Sequence, residues 1–178
     1  MNIILMGFRA TGKTTVGKIL ARELKRPFYD TDLCVQEEAG KTIREIVDEG
    51  GWSDFRQREK KAVALVARQD DCVLAVGGGA VLDEGNVRQL KAKGLFVWLK
   101  AGSETILQRL AADEQSEKRR PSLTGRNVAE ETLELLRERN PRYEHLADLT
   151  IDTEGKRPEE VAEEILNELR RLEKEKRE

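Results

Sequence analysis

Ile3-Ile4-Leu5-Met6-Gly7-Phe8-Arg9-Ala10-Thr11-Gly12-Lys13-Thr14 and the ten residues after it, Thr15-Val16-Gly17-Lys18-Ile19-Leu20-Ala21-Arg22-Glu23-Leu24, decide the fold. An apolar run of strand length ends at Met6, a loop bounded by Gly7 and Gly12 follows, and residues 15–24 have the period of an amphipathic helix. Residues 7–14 spell G-x-x-x-x-G-K-T, and strand, loop and helix together are the setting in which this Walker A pattern has a mechanism. The two glycines let the backbone curl until its amides point inward at phosphate oxygens, where the amino end of the new helix joins them. Lys13 is then placed to reach β and γ phosphates, and the Thr14 hydroxyl to ligate Mg2+. Gly7, Ala10, Thr11, Gly12, Lys13, Thr14 and Thr15 are the candidate nucleotide-binding residues of this stretch. It implies a site for a nucleoside triphosphate.

The 178 residues are enough for one domain with a five-stranded sheet covered by helices. Charged residues make up 37% of the chain, yet the net charge is only −2 and the two signs are interspersed. That balance gives no reason to expect nucleic acid or an anionic membrane as a partner. Cys34 and Cys72 show neither C-x-x-C nor zinc spacing, and reduced thiols in a cytoplasmic protein are the simplest expectation. No apolar run approaches membrane-spanning length, and Met1-Asn2 leads straight into the first strand. One histidine, His145, leaves little scope for imidazole chemistry. A monomer is the default, because no apolar stripe is left over once the sheet is covered.

Strand and helix signals then alternate, as in an α/β protein. Pro27 to Asp32 reads as a short strand carrying two carboxylates, Leu33 to Ala39 as a helix stopped by Gly40, and Thr42 to Val47 as a helix with a Thr42/Glu45 capping box. Gly50-Gly51 breaks it, and Trp52 opens a long helix to about Arg68 with Phe55, Ala62, Val63, Leu65 and Val66 inward. Cys72 to Val76 is a strand apolar on both faces, running into Gly77-Gly78-Gly79. A helix over Asp83 to Ala92, a strand over Leu95 to Leu99 and a helix from Glu104 to Ala111 capped by Ser103 follow. Asp113 to Arg120 is wholly polar, and in a phosphate-binding enzyme so polar an excursion reads as a lid, about residues 112–124. Val128 to Arg139 reads as a helix ended by Asn140-Pro141, Asp148 to Asp152 as the last strand, and Pro158 to about Leu172 as a helix with Val161, Ile165 and Leu169 on one stripe.

Ligands of open parallel sheets sit at the carboxyl ends of the strands. Those ends carry the phosphate loop, Asp30 and Asp32, and the three glycines. Read as one strand period apart, the two aspartates face one crevice. One would help organise Mg2+ beside a triphosphate, and the other is free to accept a proton from an attacking hydroxyl. The glycines admit something close to the main chain, for which a small polar substrate is the sensible guest. Arg56, Arg120 and Arg139 fall where the helix surface pattern is interrupted, and a guanidinium matches a carboxylate or phosphate with two prongs.

The chain resembles the shikimate kinases, a branch of the nucleoside monophosphate kinase-like P-loop folds, from Met1 to about Leu169. G-F-x-x-x-G-K-T at Gly7 carries the resemblance together with F-x-D-x-D at Phe28 and F-R-x-x-E at Phe55. G-G-G at Gly77, R-P at Arg120, R-x-P-x-Y at Arg139 and D-T before P-E-E-V near the end complete it. The Walker motif is generic, whereas the other motifs in this order and spacing are specific. The resemblance implies a three-layer αβα fold with a parallel sheet of order 2-3-1-4-5 and a substrate-binding helical segment over about 33–60. It implies transfer of the ATP γ-phosphoryl group to the 3-hydroxyl of shikimate. Lys13 and Thr14 would then handle phosphates and Mg2+, with Asp30 supporting the metal. Asp32 would hold substrate hydroxyls and act as base. Arg56 and Arg139 would clamp the shikimate carboxylate, with Glu59 orienting Arg56, while Phe55, Gly77, Gly78 and Gly79 line the pocket. Arg120 would meet the transferring phosphate, and Arg109, Lys156, Arg157 and Pro158 would border the adenine.

Val47 stands where the family usually has a phenylalanine against the substrate ring, which implies a looser wall. Trp52, Ser122, Arg9 and Ala10 also depart from the family pattern, and Arg9 is expected outside the phosphate nest. Two rival readings are a gluconate or nucleotide kinase on the same fold, and a nucleotide-binding scaffold without catalysis. The Asp32, Arg56 and Arg139 constellation bears on the first: gluconate also has a carboxylate, but the F-R-x-x-E and G-G-G pair resembles the shikimate enzymes. The presence of Lys13, Asp32 and Arg120 together opposes the second.

Overall fold

The computed structural model describes residues 1–113, 122 and 127–175. Five strands form one sheet in the order β2-β3-β1-β4-β5, every pair parallel. They are β1 (Asn2–Met6), β2 (Phe28–Asp30), β3 (Val73–Ala75), β4 (Gly94–Lys100) and β5 (Leu149–Asp152). The helices are α1 (Lys13–Leu24), α2 (Thr31–Ala39), α3 (Ile43–Val66), α4 (Glu84–Lys91), α5 (Ser103–Ala112), α6 (Val128–Leu146) and α7 (Pro158–Glu175).

The central strand shows how the layers arise. All five residues of β1 are buried, and the four apolar ones alternate between two cores. Ile3 and Leu5 pack with Val16 and Leu20 of α1 and with Val161 and Ile165 of α7. Ile4 and Met6 pack with Val63 and Val66 of α3, Leu90 of α4 and Tyr143 and Leu146 of α6. A strand covered on both faces has no polar side, which is why its sequence reads as a continuous apolar run. Smaller apolar clusters join α2 to α3 through Val35, Ile46 and Phe55, and α5 to α6 through Ile106, Leu110 and Leu136.

Local chemistry sets several boundaries. Thr42 accepts a hydrogen bond from the Glu45 amide and Glu45 accepts one from the Thr42 amide, closing the expected capping box. The Thr42 amide and hydroxyl hold the Glu45 carboxyl below its ordinary range. Gly40 ends α2 in the left-handed conformation. At Gly51 the backbone leaves helical geometry (φ 72°, ψ 176°), so α3 is two helices that meet at a kink, the break that Gly50-Gly51 predicts.

Four expectations are corrected. β2 stops at Asp30, whose side chain accepts from the Asp32 and Leu33 amides and caps α2, so Asp32 lies in a helical first turn and not on the strand. Leu65 is 60% exposed; it sits at one edge of the arc that residues 62, 63, 65 and 66 span, and the core covers the opposite edge, where Val63 is fully buried. Ser103 makes no capping bond; Glu154, from the loop after β5, instead accepts from the Gly102 amide at 2.7 Å and the Thr105 hydroxyl at 3.2 Å. Helix α6 runs through Pro141 to Leu146. An interior proline costs roughly 3 kcal/mol, and the turn beyond it is anchored by buried Tyr143 and Leu146 and by a bond from Arg142 Nε to the Val81 carbonyl. Arg120 and most of the stretch expected to form the lid lie outside the described residues.

Candidate active site

The phosphate loop has the curl that its glycines predict. Gly12 adopts φ 89° and ψ 13° immediately before α1, a conformation costly for any residue with a Cβ. Lys13 folds back so that its ammonium donates to the Gly7 carbonyl at 2.9 Å and the Phe8 carbonyl at 2.8 Å. The Thr11 hydroxyl donates to the Phe8 carbonyl as well. Arg9, Ala10, Gly12, Lys13, Thr14 and Thr15 line an open cleft, with Asp30 and Asp32 on its far wall. The aspartates therefore reach one crevice by a route the strand reading did not contain, through a helix cap and a first turn.

Thr14 and Asp30 are joined directly, the hydroxyl donating to Oδ2 at 2.6 Å while Oδ1 takes the two α2 amides. Among the described residues no group of three or more His, Cys, Asp or Glu side chains converges to hold a metal alone. One hydroxyl and one carboxylate suit Mg2+, which keeps several waters and shares substrate phosphates. Cys34, in α2, is no rival nucleophile. Burial, with Glu37 and Asp30 beside it, pushes its thiol up from the ordinary value.

A second, narrow cleft lies between α3, α6 and the glycine loop. Phe8, Arg9, Trp52, Phe55, Arg56, Glu59, Gly78, Gly79, Leu135 and Arg139 line it. Arg56 Nη1 donates to Glu59 Oε2 at 2.6 Å, and the guanidinium lies over the Phe55 and Trp52 rings. Glu59 is 2% exposed, so this pair is held from below rather than by solvent. Arg139 is buried (7% exposed), its guanidinium 5.8 Å from the Phe8 ring centroid, and its Nε has no hydrogen-bond partner among the described residues.

The glycine triplet admits side chains first. A Cβ on Gly77 would lie 2.6 Å from Glu59 Oε1 and 2.7 Å from Asp32 Oδ1, and one on Gly79 would lie 2.4 Å from Arg56 Nη2. Gly78 accepts the Tyr143 hydroxyl on its carbonyl at 2.6 Å, which fixes α6 against the loop. The close approach inferred from sequence is made by the charged residues that form the pocket.

A third cleft contains Ala10, Thr11, Gly12, Val16, Arg109, Thr153, Lys156, Pro158 and Val161. Arg109 binds the Ala10 carbonyl at 3.2 Å and the Thr153 hydroxyl and carbonyl at 3.1 and 2.8 Å, tying the phosphate loop to the end of β5. Arg157 is not among the lining residues; its side chain pairs with Glu160 at the start of α7. Phe8, Trp52 and Leu135 were not singled out as pocket residues. Leu135 stands one helical turn before Arg139, a spacing that places both on one face. Val47 packs instead into the α2–α3 cluster, and Trp52 forms part of the pocket wall.

The arrangement finds its match among known proteins. The family model described as "Shikimate kinase" matches residues 9–170. The chain belongs to the shikimate kinase family. It is 45% identical to a shikimate kinase of Syntrophus aciditrophicus over 173 residues, covering 93% of this chain and 89% of that one. A shikimate kinase of Moorella thermoacetica is 46% identical, with 92% and 91% covered. The structure of an Acinetobacter baumannii shikimate kinase in complex with shikimate superposes with a TM-score of 0.87 at 36% identity, over 94% of this chain and 92% of that one. With the phosphate loop and the 2-3-1-4-5 sheet, that membership makes the chain a P-loop phosphotransferase.

Proposed function

We propose that this protein transfers the γ-phosphoryl group of ATP to the 3-hydroxyl of shikimate, giving ADP and shikimate 3-phosphate. The observation that carries this reading is Arg139. A buried guanidinium whose Nε is unmet among the described residues, facing a cleft beside Arg56, is costly unless a ligand anion completes it. A small carboxylate with ring hydroxyls suits a cleft whose other walls include aromatic rings and glycine backbone.

Each residue then has a task. Arg139 and Arg56 hold the carboxylate, and Glu59 fixes Arg56. Asp32 accepts the proton of the 3-hydroxyl as its oxygen bonds to the γ-phosphorus and the bond to the β-phosphate bridge breaks, leaving ADP. Lys13 exchanges its two loop carbonyls for phosphate oxygens. Thr14 and Asp30 would hold Mg2+, which supplies neutralisation of phosphate charge. Arg109, Lys156 and Pro158 border the adenine, and shared cleft walls support that placement. Two free thiols, Cys34 and Cys72, support a reducing compartment such as the cytoplasm.

The direct test is coupled ADP release with ATP and Mg2+, presenting shikimate, gluconate and nucleoside monophosphates in parallel. Saturable release with shikimate alone, abolished by chelation of the metal, is expected. Release with another acceptor would keep the phosphate site and overturn the roles given to Arg56 and Arg139. Gly79→Ala is a second expectation. The residue has ordinary backbone angles (φ −95°, ψ −7°), so space alone demands glycine there. The new methyl group displaces the Arg56 guanidinium and weakens shikimate binding about tenfold with little change in the unfolding midpoint. Unaltered affinity by titration calorimetry would remove Arg56 from the carboxylate clamp.

A further inference from the structure

Arg9 lies in the middle of the phosphate loop, yet it lines the acceptor cleft as well as the triphosphate cleft. A side chain on both walls stands where the transferred group must cross. Its guanidinium lies 5.7 Å from the Phe8 ring centroid, against 5.8 Å for Arg139, so one ring carries two cations. Arg9 Nη2 lies 3.4 Å from Oε2 of Glu131, a residue of α6 that is only 1% exposed. The other oxygen, Oε1, accepts from the Ser122 hydroxyl at 2.7 Å. A buried carboxylate anchored at both oxygens is a fixed post, and a long arginine tied to it keeps its charge at the junction of the clefts.

We propose that Arg9 is a specificity-determining residue that recognises the phosphate of the phosphorylated acceptor, and that Glu131 is the residue that positions it. The inference rests on the acceptor reading above, and it adds a recognition element for a phosphate monoester. The acceptor and its product share the carboxylate and ring, which Arg139 and Arg56 meet, and differ by the new phosphate. Arg9 therefore discriminates between them, raising affinity for the dianion far more than for the hydroxyl it replaces.

The test is calorimetric titration of shikimate and of shikimate 3-phosphate, without nucleotide, into the wild-type protein, Arg9→Met, Arg9→Lys and Glu131→Gln. Losing a hydrogen bond to a charged group corresponds to roughly a 10- to 100-fold loss for the phosphorylated ligand, and shikimate itself should shift less than about threefold. Arg9→Lys keeps the charge and recovers part of that loss. Glu131→Gln reproduces it in weaker form, since it releases Arg9 without removing it. The ratio of the two affinities is unaffected by a general loosening of the fold, so a merely structural role would leave it constant. Equal losses for both ligands, or none for the phosphorylated one, would overturn the role of Arg9. A wild-type ratio in Glu131→Gln would overturn that of Glu131. A wild-type protein that binds neither ligand overturns the acceptor reading and this inference together.

Discussion

Lys13→Met is expected to lower kcat by about 10²–10³-fold, the usual cost of deleting one preorganised donor to developing charge. The ammonium rests on the Gly7 and Phe8 carbonyls, two bonds formed within the loop that bind no part of the rest of the fold. Methionine keeps the apolar stem and removes only the charge, while those carbonyls turn to the water of an open cleft. Charge accumulates on the bridging and γ oxygens as the phosphoryl group leaves, so the lysine matters more to the transition state than to bound ATP. Single-turnover rates, with nucleotide affinity measured separately, distinguish these contributions. A loss confined to ATP affinity, with the rate at saturation intact, would reduce Lys13 to a ground-state contact and refute the catalytic role assigned to it.

That prediction rests on the part of the molecule most legible in its sequence. A strand, a glycine-bounded curl and a helix start are set by residues within a dozen positions, and backbone geometry carries the function. The sheet order followed from the family resemblance, and the alternating burial of β1 agrees with its apolar run. Legibility falls where a feature depends on elements remote in the chain. The glycine triplet signals close approach, but that Glu59, Asp32 and Arg56 make the approach depends on how α2 and α3 lie over β3. The Asp30 and Asp32 pair was placed in the right crevice for an incomplete reason, because a capping aspartate and a strand-end aspartate look alike over two residues. Pro141 read as a stop, since local propensity cannot register the Tyr143 bond to the Gly78 carbonyl, 65 positions away. Arg9 joins two clefts only through the packing of α6, and its partner Glu131 sits in a helix whose sequence reads as solvated charge.

Arg139→Met carries the acceptor reading into the free protein, because affinity and stability should move in different directions. Binding of shikimate is expected to weaken by about 2–5 kcal/mol, the range found when one member of a buried charge pair is truncated, or roughly 30- to 5000-fold. The free protein should lose nothing. Arg139 is buried with an Nε lacking any partner among the described residues, so folding must desolvate a guanidinium that its surroundings do not fully repay. Methionine fills much of the same space, keeps an apolar side chain beside Phe8, and strands no hydrogen-bond partner among the described residues. An equal or higher unfolding midpoint is expected, together with loss of the upward shift that shikimate gives the wild-type protein. Wild-type affinity in the variant would refute the carboxylate role outright. Weak binding accompanied by a marked fall in the midpoint would show that Arg139 holds α6 in place, and that the cleft needs it for shape rather than for charge. Only the opposed pair of results, affinity lost and stability kept, identifies a cation buried for a ligand.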